Sequence, residues 1–388
     1  MKKNISIIIT KLNGGGAERC ASNLSIELSK KYNVFLIVFD ASDITYPYKG
    51  TLVDLKIPKA QNTLYRYLGV LKRAWQIRKL KQKHNIEVSI SLLEGPNLVN
   101  VLSKWKEKII VSVRNNMSKQ AGGRIARAII KYASKKADFT ISLSKMVGQD
   151  LVDKFSIDPS KVVTIYNHVD KELLEKQSTD SIVALNPLKS YIVTMGRMHH
   201  QKGQWHLIKA FSKVASLYPD LDLLILGTGP LKDELTMLIS NLGLSDRVVM
   251  PGYITSPHSY LKRCEMFVLS SLYEGLGNVL LEAESFQLPI ISTDCMSGPR
   301  EILAPDTEFD KCAKDIEYGD YGILVPVDES VDLSNLQLSY EEEKLAEAIM
   351  VMHSDELLRN RYIAASQKGA SRFSKEKIIQ DWIDVIEN

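Results

Sequence analysis

The sequence has no apolar run approaching the roughly 18 residues that cross a bilayer. Its longest N-terminal run, Ile5 to Ile9, is only a strand's length. Lys2 and Lys3 precede it as they would in a leader, but the run is too short and no small-residue cleavage site follows. Secretion by that route and insertion are therefore not expected. Cysteine is scarce. Cys20, Cys264, Cys295 and Cys312 form no C-x-x-C pair and no Cys/His cluster, which excludes zinc modules and disulfide scaffolds. They read as reduced, mostly buried thiols of a cytoplasmic protein. Glycine (21) and proline (13) are not enriched among 388 residues, so long disordered tracts are not expected. No recognition-helix, RNA-binding-strand or zinc pattern is present, which argues against a nucleic-acid partner.

The net charge of +4 conceals an asymmetry. Residues 1–170 carry 29 Lys and Arg against 13 Asp and Glu; the remainder carries 21 against 33. Solubility does not require such a split, so the first half is expected to face something anionic. Two basic stretches stand out. Leu64–Lys83 carries Arg66, Lys72, Arg73, Arg78, Lys79, Lys81 and Lys83, with Leu64, Leu68, Leu71 and Trp75 at helical spacing. Arg124–Lys136 carries Arg124, Arg127, Lys131, Lys135 and Lys136. A helix whose apolar stripe packs on a sheet beneath solvated cations explains either one alone. Together with the charge of the half, they favour peripheral contact with anionic headgroups.

Strand and helix patterns alternate. Ile5–Thr10, Asn33–Asp40, Leu52–Ile57, Val88–Leu92, Ile109–Val113, Phe139–Leu143 and Val162–Ile165 are short, β-branched-rich runs with helical stretches between most of them. The pattern lapses over 171–190 and restarts with Tyr191–Met195, Leu221–Leu226, Arg247–Met250, Met266–Leu269, Pro289–Thr293 and Gly322–Val325. Three helices close the chain, the last at Ser374–Glu387. This predicts an α/β protein of two doubly wound domains, 1–180 and 181–373, with parallel sheets covered on both faces. Ligands of such sheets bind outside the carboxyl ends of the strands, so a cleft between the two domains is expected. Segment 304–321 is polar and turn-rich, and reads as an insertion without an evident task.

Two segments concentrate chemistry. Ser270 to Ala283 reads S-S-L-Y-E-G-L-G-N-V-L-L-E-A directly after an apolar strand. A strand, a glycine turn and a helix start place backbone N–H groups and a helix dipole at the sheet's carboxyl edge, where they suit phosphate. Glu274 and Glu282 flank that turn. Isolated, an E-x7-E pair means little; in this setting the two carboxylates can share the recognition of one ligand. The second segment, Val193 to Gly203, again runs from a strand through a glycine, Gly196. It offers a fork-shaped Arg197 and a point charge at Lys202, a pair suited to a diphosphate. His199 and His200 beside them read as surface residues. A dinucleotide-binding fingerprint is missing, because Lys11-Leu12-Asn13 separates the first strand from Gly14-Gly15-Gly16, and Gly227-Thr228-Gly229 lacks its third glycine. Asp220-Leu221-Asp222 follows Pro219 and reads as a turn and strand start rather than a metal site.

The ordered set of Gly14 to Arg19, Ile165 to Asp170, Gly196 to Gly203, Gly227 to Leu231, Glu274 to Glu282 and Ser297 to Ile302 resembles glycosyltransferase family 4, retaining enzymes of the GT-B fold, over nearly the whole chain. Within that family it looks like bacterial enzymes that build capsular, cell-surface or lipid-linked oligosaccharides. The resemblance implies two Rossmann-like domains facing an interdomain cleft. The first, 1–180, would bind the acceptor and be rejoined by helix 374–388; the second, 181–373, would bind a nucleotide-sugar, a UDP-hexose or UDP-N-acetylhexosamine. It implies that Glu274, Arg197 and Lys202 serve catalysis. Gly15, Gly16, Gly196, Tyr253, Gly275, Leu276, Gly277, Asn278, Val279, Leu280 and Glu282 would contact the donor along with them, Glu282 at the ribose and Tyr253 at the base. Many members carry an N-domain histidine near the sugar. The equivalent loops here, Leu93 to Pro96 and Arg114 to Asn116, have none, so Arg114 and Asn115 stand as the acceptor-side candidates. No cofactor and no metal are expected. The expected location is the inner face of the cell membrane.

Overall fold

In the computed structural model, residues 2–57, 63–118, 123–170, 172, 174–175, 185–254 and 257–388 are described. The chain divides into two compact units, 1–167 with 376–388, and 168–375. The boundary predicted at 180/181 thus moves to 167/168. Val169 N–H donates to Phe373 O at 3.0 Å, and Lys375 lies 3.1 Å from Asp170, so 168–170 is tied to the end of the second unit. Most of the predicted crossover, 171, 173 and 176–184, lies outside the described residues.

The first unit is a seven-stranded parallel sheet of β1 (Asn4–Ile9), β2 (Asn33–Val38), β3 (Thr51–Asp54), β4 (Val88–Leu92), β5 (Lys108–Val113), β6 (Phe139–Ser142) and β7 (Val162–Thr164), in the order β3-β2-β1-β4-β5-β6-β7. Ile5 pairs with Val34 on one side and Val88 on the other. Alternation along β1 feeds two cores, as a strand covered on both faces requires. Ile5, Ile7 and Ile9 pack with Leu24 and Leu28 of helix Gly16–Leu28 and with Ile378 and Trp382 of helix Lys375–Glu387. Ile8 packs with Ile37, Ala74, Ile77 and Val99. The last helix is thus part of the first unit's core, although it lies at the chain's far end.

The second unit repeats the plan with β8 (Ser190–Met195), β9 (Leu221–Leu226), β10 (Val248–Gly252), β11 (Met266–Leu269), β12 (Ile290–Thr293), β13 (Glu317–Tyr318) and β14 (Ile323–Val325), in the order β10-β9-β8-β11-β12-β14-β13. Only the pairing of β13 with β14 is antiparallel among those described. β13 falls inside the segment predicted as an insertion. Trp205, Phe211 and Val214 of helix Gln204–Leu217 fill the core with Leu345, Ile349 and Met352 of helix Tyr340–Ser354. None of the four cysteines is in a disulfide, but only Cys295 is buried; Cys20 and Cys264 are half-buried and Cys312 is exposed. The burial predicted for most of them is complete only for Cys295, although enough of it reaches Cys264 to push that thiol's pKa up to about 12.

Candidate functional site

In both units the strand order reverses beside the first strand, between β1 and β4 and between β8 and β11. The loops leaving these strands diverge there, which is where doubly wound sheets hold ligands. In the second unit the two loops are those singled out in the sequence, 196–203 and 270–277. They are laced together. Leu272 N–H donates to Gln201 O at 2.8 Å, Gln201 Nε2 to Tyr273 O at 2.9 Å, and Ser270 Oγ to Lys202 O at 3.0 Å.

Across this seam Lys202 Nζ meets Glu274 Oε1 at 2.6 Å, with the two side chains 19% and 8% exposed. Ser271 Oγ donates to the same oxygen at 2.7 Å. Two donors on one oxygen fix the Glu274 carboxylate in a charge-assisted arrangement. Glu274 also adds its charge to the burial that pushes the nearby Cys295 thiol well up, so that thiol is neutral and inert. Arg197, on the same loop, is exposed.

Helix Asn278–Ser285 starts immediately beyond. Its cap residue Gly277 takes φ 84°, a left-handed conformation that a side chain would resist, and no side chain caps the helix. The N–H end of an uncapped helix, on the loop that carries Glu274 and its Lys202 partner, is a setting for an anion. Asn278 and Val279 are half-buried, while Gly275, Leu276 and Leu280 are buried. Glu282 Oε2 lies 3.2 Å from His258 Nε2. A carboxylate only accepts, so the His258 ring donates from Nε2. Tyr253 follows β10 and is 75% exposed, next to Gly252, whose carbonyl accepts from Gly227 N at 3.0 Å.

In the first unit, helix Gly16–Leu28 begins at the last of the three glycines, with Gly15 in the capping position and Gly16 exposed. The Glu18 carboxylate folds back against Gly15, where a Cβ would collide with it. Burial raises the Glu18 pKa, opposed by its own backbone hydrogen bond and by the Arg114 charge. Arg114, just past β5, is buried and donates to Asn167 Oδ1; Asn115 is half-buried. Glu18, Arg114 and Asn167 thus form a polar cluster that the sequence reading did not assemble. Their separation in sequence left no local signal. His258 and Ser271 were missed in the same way, although Ser271 lies within the motif.

The D-x-D sequence is engaged elsewhere. Asp222 Oδ1 accepts from Arg247 Nε at 2.7 Å, on β9. His206, Asp328 and Glu342 bring ligand-type atoms within 4.8 Å of one another, but Lys209 Nζ stands 3.3 Å from Glu342 Oε1 and opposes a cation there.

The basic helix is Thr63–Lys83, and the side chains of 63–67 lie outside the described residues. Its buried face is not the stripe of Leu68, Leu71 and Trp75. Ala74 and Ile77 enter the core, whereas Leu68, Leu71 and Trp75 are 52%, 62% and 58% exposed. Among its described side chains, two cations are internal. Lys81 pairs with Glu107 at 2.7 Å with both side chains fully buried, and Arg73 donates to Ile57 O. Lys72, Arg78, Lys79 and Lys83 are exposed. On helix Gly123–Lys136, Ile125 is 66% exposed. No described helix is long and apolar enough to cross a membrane.

Comparison with known proteins agrees with this architecture. Residues 14–173 match the sequence family described as Glycosyltransferase Family 4, and residues 175–311 match Glycosyl transferases group 1. An uncharacterized glycosyltransferase of Methanocaldococcus jannaschii is 36% identical over 358 residues, covering 85% of this chain and 86% of its own. The N-acetylgalactosamine-N,N'-diacetylbacillosaminyl-diphospho-undecaprenol 4-alpha-N-acetylgalactosaminyltransferase of Campylobacter jejuni is 28% identical, covering 98% of both chains. Among solved structures, Anabaena HepE in complex with UDP has the same fold, with a TM-score of 0.74 at 15% identity and 99% of both chains covered.

Proposed function

The chain belongs to glycosyltransferase family 4 and has the two Rossmann-like domains of the GT-B type, and from this premise we propose that it moves a hexose or N-acetylhexosamine from a UDP-sugar to a lipid-linked or cell-surface glycan, with retention of configuration and without a metal. The observation that carries the proposal is the Lys202–Glu274 pair, 2.6 Å apart at the switch point, beside an uncapped helix start.

In this reading Arg197, Lys202 and the first amides of helix Asn278–Ser285 hold the diphosphate. Glu274 orients the sugar hydroxyls and Glu282 accepts from the ribose, with His258 fixing its rotamer. Gly15 and Gly16 let the first loop approach the phosphates, Gly196 does so on the donor side, and Tyr253 offers a face to the base. The acceptor hydroxyl attacks the anomeric carbon from the side the diphosphate leaves. The bond from that carbon to the diphosphate oxygen breaks, and the departing phosphate takes the hydroxyl proton. Such a step needs placement and cationic stabilisation of the leaving group rather than a strong base. Lys202 and Arg197 supply that charge, which is the support for a metal-free reaction.

On the acceptor side we assign Arg114 and Asn115, with Glu18 and Asn167 completing the polar cluster. The Campylobacter relative is named for a diphospho-undecaprenol acceptor and HepE was crystallised with UDP; both favour the proposed substrate classes. Exposed Leu68, Leu71 and Trp75 among Lys72, Lys79 and Lys83 suit contact with an anionic leaflet, at the inner face of the membrane. The test of stereochemistry is NMR of the product formed from an α-linked UDP-sugar. An α-linkage is expected; a β-linkage would exclude the front-side mechanism.

A further inference from the structure

Besides the pairing of β13 with β14, segment 304–321 is held by a buried pair, Arg300 and Asp294. Arg300 lies in the short helix Pro299–Leu303 and is 3% exposed. Its Nε and Nη2 donate to Asp294 Oδ2 at 3.0 and 2.5 Å. Nη1 and Nη2 donate to the two Glu317 oxygens at 2.8 Å each, and Nη1 reaches Thr307 Oγ1 at 3.0 Å. The Ala313 N–H donates to the same Asp294 oxygen at 2.6 Å. Thr307, Ala313 and Glu317 all belong to the segment, so it is a strap clipped at three points to a single hub. Only a planar fork can serve two carboxylates and a hydroxyl at once. The hub's electrostatics are consistent with this. The Arg300 guanidinium draws Glu317 below the usual carboxylate range, while burial holds Asp294 above it.

The other end of the hub leads to the site. Asp294 directly follows β12 and opens the loop 294–298. Met296 O in that loop accepts the Glu274 N–H at 3.2 Å. Gly298, at φ 111°, sits so close to the Leu276 carbonyl that no Cβ fits between them. The chain of contacts therefore runs from the strap through Arg300 and Asp294 to the loop that supports Glu274 and Leu276.

We propose that Arg300 and Glu317 are positioning residues for sugar transfer, holding loop 294–298 and through it the backbone of Glu274 without touching substrate. The proposal rests on the reading of Glu274 as a donor-sugar residue. An ion pair with a partner as exposed as Glu317, at 37%, adds little to stability by itself. A displacement of about 1 Å near reacting atoms, by contrast, can cost on the order of a hundredfold in rate.

The test compares wild type, Glu317→Gln, Arg300→Lys and Glu274→Ala by steady-state transfer, UDP binding and thermal melting. Arg300→Gln is avoided because it strands a buried Asp294. In Glu317→Gln, kcat is expected to fall about tenfold, roughly 1.4 kcal/mol of barrier. Donor KM, UDP affinity and melting temperature should stay near wild type. Arg300→Lys, which keeps the charge without the fork, should fall at least as far in kcat with the same donor KM. Wild-type kcat in Glu317→Gln would overturn the proposal, as would losses that track KM and melting temperature together. Should Glu274→Ala keep its turnover, the reading of the site itself fails. An inactive Glu274→Ala beside a wild-type-like Glu317→Gln would sink the positioning role alone.

Discussion

Glu284 sits two residues after Glu282 on the helix that opens the candidate site, yet it points into the protein. Its side chain is fully buried, its oxygens have no hydrogen-bond partner among the described residues, and Arg372 Nη2 is 3.9 Å away. Arg372 is itself bonded to Gly369 O at 3.2 Å and packed over the Tyr321 ring. Burial pushes the Glu284 pKa to about 8 against an ordinary 4.5, only partly offset by Arg372. The folded chain therefore holds this proton more tightly than the unfolded chain does. The stability it contributes is full below about pH 4.5 and is lost as pH rises through about 8. Glu284→Gln is expected to flatten the fall of melting temperature across that window and to raise it at the alkaline end. An unchanged profile by differential scanning calorimetry would refute this. The segments that carry Glu274, Glu282, Arg197 and Lys202 were legible in the sequence as loops and a helix that follow apolar strands. Their partners were not. His258 reaches Glu282, and Glu317 reaches Arg300, only through folding, and nothing local marks either pair.

Among the elements, the strands were the most legible, since short β-branched runs buried on both faces have few alternatives. On helix Thr63–Lys83 the spacing of Leu68, Leu71 and Trp75 fits a core stripe as well as a surface one. The core takes the smaller Ala74 and Ile77 and, with them, Lys81, and leaves that stripe exposed. Lys81 is kept there by Glu107 at 2.7 Å and by Asn100 Oδ1 and Ser103 Oγ at 2.8 Å each. Asn100 and Ser103 belong to or border helix Glu94–Leu102, so the pair pins one helix to the other. A charge pattern cannot announce that one lysine among many turns inward. Glu107→Gln leaves the Lys81 ammonium without its counter-charge and is expected to cost about 3 kcal/mol in denaturant unfolding. A change below about 1 kcal/mol would mean that Asn100 and Ser103 suffice.

At the scale of the molecule, the two-domain plan was legible from the restart of strand alternation. The boundary was not, because the polar run 171–190 hides the ties of Val169 and Asp170 to the chain's end. The charge asymmetry has a structural counterpart in exposed Leu71 and Trp75 beside Lys72 and Lys79. Leu71→Ser with Trp75→Ser is expected to lower sedimentation with phosphatidylglycerol vesicles at low salt at least fivefold, an estimate from the apolar area lost. Neutral vesicles should bind neither protein, and equal sedimentation of both forms would count against membrane contact by this helix. The central claim is transfer from a nucleotide-sugar at the Lys202–Glu274 pair. It is tested most directly by nucleoside diphosphate release from a panel of nucleotide-sugars, with a lipid-linked acceptor extract and a chelator present. Wild type should turn over one UDP-sugar, and Glu274→Ala should lose roughly a hundredfold or more in rate while melting like wild type. Equal turnover by Glu274→Ala, or no donor turned over or bound by the wild type, would contradict the account.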